Sequence, residues 1–197
     1  MLLEGPKRDG STGGRQEEAM ERERIEALLR EQGCADFKWI KSKQIKVAQW
    51  VRFRCLFGCP AYGKRGTCPP NIPAIDQCRE FLSEYEDAVI IHLQKAIEKT
   101  VDYKPWSRDA NERLVELERR VFLAGHYKAF MISFEACGQC TECAANRLDC
   151  QNKKAARPGA DAMGIDVYAT ARGVGYPIQV LTGRQETMNR YAFLMVE

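Results

Sequence analysis

Much of what would place this chain in a familiar class is missing. No apolar run reaches the roughly 18–20 residues needed to cross a bilayer, and the N-terminus lacks a signal-peptide h-region. A cytoplasmic protein with no membrane partner is therefore expected. The formal net charge is only +3 and no long Lys/Arg run occurs, so nothing favours nucleic acid as a partner. Neither G-x-G-x-x-G after a strand nor G-x4-G-K-S/T is present, which leaves nucleotide binding by those loops unsupported. Also absent are C-x2-C-H, for haem attachment, and the C-x3-C-x2-C group typical of radical adenosylmethionine enzymes. Histidine is scarce: there are two, His92 and His126. His92 has no second His or carboxylate at ligand spacing and reads as a hydrogen-bonded core residue, while His126 reads as a turn residue.

What the chain does have is cysteine, nine residues of it among 197. In a reducing compartment thiols in this number point to metal ligation or redox chemistry rather than a disulfide framework. The remaining composition is ordinary for a globular protein, 45% apolar and 29% charged. The length suits one α/β domain better than two. Residues 1–19, rich in glycine, read as a disordered tail, and residues 20–197 as a single metal-binding domain.

Two cysteine groups carry the chemistry. Cys137, Cys140 and Cys143 follow one another at two-residue spacing, with Cys150 beyond. This spacing matches the first three ligands of bacterial ferredoxin loops, whose thiolates hold a 4Fe–4S cube. Zinc more often takes two separated C-x2-C knuckles, so a cube is favoured and zinc stays open as the alternative. The other group, first in chain order, is Cys55, Cys59-Pro60 and Cys68-Pro69-Pro70, with a glycine-containing loop between. A proline after cysteine fixes the exit of the chain, as it does after the last ligand of a ferredoxin run. The bland alternative for this first group is a proline-stiffened turn with buried cysteines. Cys34 is isolated and Cys78 lies on an apolar helical stripe with Ile75, Leu82 and Tyr85, so both are expected to pack rather than ligate.

Periodicity gives a coarse order of elements. Helices are expected up to Arg30, after a cap at Asn71, from Ser107 to Gly125 and over Ala160–Arg172. Strands are expected at Phe37–Ile40, Val47–Phe53, Ala88–Leu93, Ala129–Phe134, Ile178–Leu181 and Tyr191–Val196. Ala88–Leu93 is apolar throughout, as in a central strand covered on both faces. The expected fold is thus α/β, a mostly parallel or mixed sheet flanked by helices. Each cysteine loop would leave the carboxyl end of a strand, where such folds place their ligands.

Cys55-x3-Cys59-Pro60-x-Tyr62-Gly63, Cys68-Pro69-Pro70, the Cys137/Cys140/Cys143 run, Cys150 and Arg157-Pro158 followed by Gly164-Ile165-Asp166-Val167 together resemble an uncharacterised prokaryotic family of predicted metal-binding proteins, a domain of unknown function. The resemblance spans roughly residues 35–196. It implies metal or iron–sulfur binding in anaerobic-type metabolism and supplies no reaction. Gly159 and Asp161 stand where the family pattern has Ser and Glu.

Three functions follow. One is electron transfer or a redox role through one or two 4Fe–4S clusters, with a redox partner protein. Another is an enzyme whose cluster has three Cys ligands and an open iron, Arg52 and Arg54 holding a small anionic ligand. The last is a zinc protein whose metal contributes folding energy.

Overall fold

The computed structural model describes residues 11–96, 103–183 and 186–197. At its centre Ala88–Leu93 forms part of strand β2 (Asp87–Ala96), with Ala88, Val89, Ile90 and Ile91 wholly buried. Successive side chains of a strand point to opposite faces, so an unbroken apolar run needs cover on both. One face is covered by helices α1 (Ser11–Glu31) and α4 (Tyr103–Leu123): Val89, Ile91 and Leu93 share a core with Ile25, Leu29, Leu114 and Leu117. Ala88 and Ile90 belong to the opposite core. There they meet Cys78 and Leu82 of helix α3 (Ile75–Ser83) and Ala171 of helix α5 (Val167–Gly173).

Strands β1 (Phe37–Lys41), β3 (Phe130–Ile132) and β4 (Thr187–Met195) complete a four-stranded sheet in the order β1-β2-β4-β3. Every pairing is antiparallel, which corrects the expected mostly parallel or mixed sheet. The strand–helix–strand unit β2–α4–β3 does run in one direction, since both strands lie antiparallel to β4. However, β4 is inserted between them as in a split β-α-β unit, so the two parallel strands never touch. A continuous apolar run reports cover on two faces and carries no information about which neighbour fills the gap.

Several local expectations also change. The expected strand Val47–Phe53 is mostly helix α2 (Gln49–Gly58), in which Val51 is the buried residue. Phe53, Leu56 and Phe57 of this helix are exposed. The first cysteine group therefore begins inside a helix, at Cys55, and not at the carboxyl end of a strand; only the second follows a strand, β3. The helix expected over Ala160–Arg172 is interrupted because Gly164 sits at φ +77°, where side chains are strained, and α5 starts only beyond it. Asp166 caps α5 by accepting a bond from the Ala169 N–H at 2.9 Å. Ile178–Leu181 has no regular structure. Of the tail expected over 1–19, residues 1–10 lie outside the described residues, and from Ser11 the chain is helical.

Candidate metal centre

The second cysteine loop hangs between two fixed stems. Its entry is the end of β3, where the Ser133 N–H donates to Pro158 O at 2.9 Å and the Ala160 N–H donates to Ser133 O at 2.8 Å. Gly159 lies so close to this stem that an added Cβ would stand 2.6 Å from the Glu135 carbonyl oxygen, which only glycine avoids. On the exit side the Arg157 guanidinium donates to the buried carboxylate of Glu118 on α4, its Nε at 2.6 Å from Oε2. The same Oε2 accepts the Met131 N–H of β3 at 2.8 Å. Cys137, Cys140, Cys143 and Cys150 all lie in the irregular segment held between these anchors.

Cys55 lies near the C-terminal end of α2, and Cys59 is its C-cap residue. The chain then winds through turns to Cys68, with the Gly63 N–H donating to Pro69 O at 3.0 Å and the Cys68 N–H to Arg65 O at 3.1 Å. Asn71, expected to cap α3, does something else. Its Nδ2 donates to Arg65 O at 3.2 Å and to Ala145 O at 2.7 Å, while Ala74 takes the N-cap of α3.

The two loops are clasped together. The Gly66 N–H donates to the Cys143 sulfur at 3.4 Å, and the Arg65 guanidinium donates to the Cys137 carbonyl at 2.8 Å. A Cβ on Gly66 would stand 2.7 Å from Asn146 O, so the approach depends on glycine here. The two cysteine loops thus meet although the sheet is antiparallel and the first loop does not leave a strand end.

The thiols feel one another. Burial pushes the Cys68 thiol up to about 11, and Cys59, Cys55 and Cys137 add to the rise against the opposing Arg65. Cys55 is raised first by burial, then by Asp161 and Cys59. Cys137 is raised by burial and by Cys140, Cys150 and Cys143, against a backbone hydrogen bond at Gln139. Cys137 thus sits in the field of its own group and acts on Cys68 of the other. Among the described residues no three Cys, His, Asp or Glu side chains converge on one point at metal-binding distance. The donor set nevertheless suits a thiophilic metal or an iron–sulfur cluster: thiols near one another, and a backbone N–H already aimed at one sulfur. A cation held there would favour the thiolates that burial disfavours. Cys34 and Cys78 stay apart, each buried in a different hydrophobic core.

A cleft of about 1000 Å³ adjoins the first group. It is lined by Cys55, Cys59 and Cys68 together with Tyr103, Glu135, Asp161 and Arg190. The Tyr103 hydroxyl donates to Glu135. Burial raises the Glu135 carboxyl above its usual range, against the Tyr103 hydrogen bond and the charges of Arg190 and Arg65. The Tyr103 phenol is pushed up to about 12, again chiefly by burial. Arg52, expected to hold an anion, instead spends its guanidinium on the carbonyls of Ala162, at 2.8 Å, and Pro73, at 3.2 Å. Arg54 does line the cleft. Tyr103 and Arg190 carry no motif and could not be picked from the sequence. Glu135 left one signal, a charge placed between an apolar strand and the first cysteine of the run.

The chain belongs to the family described as predicted metal-binding protein (DUF2284), whose model matches residues 38–196. The match takes in both cysteine loops and all of the sheet but Phe37. No curated protein and no solved structure matches the chain. No helix among the described residues is long and apolar enough to cross a membrane.

Proposed function

We propose that the metal this family is described as binding is, in this chain, an iron–sulfur cluster, and that the protein is a cytoplasmic redox or electron-transfer protein. Cys137, Cys140, Cys143 and Cys150 would hold a 4Fe–4S cluster; such a group supplies one-electron chemistry. The observation that carries the reading is the Gly66 N–H directed at the Cys143 sulfur from the other loop at 3.4 Å. Hydrogen bonds to cluster sulfurs tune the potential and hold the ligand in place, so this donor is useful to a thiolate and of little use to a free thiol. The two-residue spacing of three successive cysteines favours the cube over a structural zinc site, which usually takes paired knuckles. A redox partner protein is the expected electron source or sink.

A second reading is favoured by the cleft. Cys55, Cys59 and Cys68 are three thiols where a closed cube needs four ligands, and all three line it. A cluster held by them alone would keep one iron available to a small molecule, the logic that separates open catalytic sites from closed structural ones. In that reading the cleft walls bind and orient the molecule, and the Tyr103–Glu135 pair holds a proton beside it.

The test is Cys140→Ser made and purified without oxygen. Wild type should be brown, with absorption near 400 nm (about the thiolate-to-iron charge-transfer region), and the variant should lose most of it. A colourless wild type carrying stoichiometric zinc contradicts it.

A further inference from the structure

The cleft beside the first cysteine group gathers two arginines, Arg190 and Arg54, near the carboxylates of Asp161 and Glu135. Arg190, on β4, lines it and lies over the ring of Tyr103 at 5.8 Å. Among the described residues its Nε is closed off from water and has no hydrogen-bond acceptor. A buried charged donor without an acceptor is costly, and folded proteins rarely keep one without a use. Arg54, on α2, lines the same cleft and rests over Trp50 at 5.8 Å. Asp161 lies within electrostatic reach of both guanidinium groups. It is held there by the Pro158–Ala160 stem, and its backbone carbonyl lies 3.9 Å from the Cys55 sulfur.

The remaining lining is apolar and exposed. Trp50 is 45% exposed, Phe53 52% and Phe57 77%, and all three line the cleft. Large apolar side chains gathered at a concave surface mark a binding site more often than an accident of folding. At about 1000 Å³ the cleft is of the size that takes a small organic molecule.

The arrangement of charge narrows the class. A simple anion would meet both arginines but would also face the Asp161 carboxylate, with Glu135 beside Arg190, and have nothing to offer either. A simple amine would satisfy Asp161 and be repelled by two guanidinium groups. A molecule with a carboxylate and a neighbouring hydroxyl or ammonium group satisfies all three. We infer that the cleft binds a small hydroxy or amino acid with an apolar or aromatic body: Arg190 and Arg54 take its carboxylate, Asp161 takes its hydroxyl or ammonium, and the aromatic residues of α2 cover its body. This deepens the open-iron reading, on which the chemical fate of the bound acid rests; the binding itself does not depend on the cluster.

The experiment is calorimetric titration of the full-length protein, purified without oxygen, with four molecules that share one aromatic body: phenyllactate, phenylalanine, hydrocinnamate and phenethylamine. Phenyllactate or phenylalanine should bind at least about tenfold tighter than hydrocinnamate, the worth of one charged hydrogen bond. Phenethylamine should not bind. Arg190→Gln should weaken every carboxylate at least about tenfold, and Asp161→Asn should erase the preference over hydrocinnamate while leaving hydrocinnamate itself bound. If Arg190→Gln fails to fold, Arg190→Lys is read in its place, because lysine cannot make the paired contacts of a guanidinium. Equal binding of all four molecules, no binding by any, or an unaltered Arg190 variant overturns the inference. Iron and acid-labile sulfide are measured on the same samples. Selective binding by a protein without a cluster sinks the cluster and spares the inference, and a loaded protein that ignores all four does the reverse.

Discussion

The backbone N–H of Gly66 and the sulfur of Cys143 are joined by a hydrogen bond of 3.4 Å between groups 77 residues apart. The contact exists because Gly66 has no side chain: a Cβ would press on the Asn146 carbonyl at 2.7 Å. Asn71 and Arg65 reinforce it by reaching the carbonyls of Ala145 and Cys137. A single clasp therefore ties both cysteine groups into one unit, and damage to it should reach the metal.

Gly66→Ala is the simplest way to open that clasp. It should leave the sheet and both cores intact, cost roughly 1–3 kcal/mol as other overpacked sites do, and cut metal content per chain well below wild type. Metal analysis beside a urea melt reads both effects. Full metal content in a normally folded Gly66→Ala protein would show that the clasp is dispensable.

Cys78→Ala tests the opposite claim. Cys78 is 2% exposed in the core shared by α3 and the sheet, and its sulfur lies 3.7 Å from the Pro73 carbonyl. Removing the sulfur should cost roughly 1 kcal/mol, as for a small buried group, with metal content unchanged. Loss of metal from this variant would make Cys78 a ligand.

Metal uptake should depend on pH in a direction the thiols fix. Cys68, Cys55 and Cys137 all have raised pKa values, burial being the largest cause in each. They are protonated near neutrality, so binding a metal must release protons, and affinity falls as pH falls. Titrating metal-free protein in two buffers of different ionisation heat counts those protons. Binding with no proton release would mean that these thiols do not ligate.

Asp36 should set part of the acid sensitivity of the fold. Partial burial pushes its carboxyl up, but hydrogen bonds from His92 Nδ1, at 2.6 Å, and the Tyr176 hydroxyl, at 2.8 Å, outweigh this and leave it below its usual value. A group lowered on folding stabilises above its unfolded pKa of about 3.9 and loses that contribution as pH falls through the folded value. Urea midpoints measured from about pH 5 to pH 2 should fall less steeply for Asp36→Asn than for wild type. Parallel curves would show that Asp36 contributes nothing to the acid sensitivity of the fold.

What the sequence revealed follows from how local each signal is. The cysteine groups were legible because ligand spacing is a property of a few consecutive residues. So was the central place of Ala88–Leu93, since an unbroken apolar run has few other uses. The direction of its neighbours was not legible, because β4 reaches its place between β2 and β3 from the far end of the chain. Residues 47–53 misled because a two-residue alternation this short fits a helix equally well, and α2 buries little more than Val51. Tyr103, Glu135, Asp161 and Arg190 meet only in three dimensions, coming from a helix, a strand end, a loop and the last strand. Asp161 was visible beforehand merely as a departure from a family pattern.

The nature of the bound group is decided by iron, acid-labile sulfide and zinc per chain, measured in protein expressed and purified without oxygen. One cube should give about four iron and four sulfide per chain, and up to about twice that if both cysteine groups are loaded. Zinc should be far below one per chain. Stoichiometric zinc with no labile sulfide would contradict it and leave the two loops as a structural zinc site.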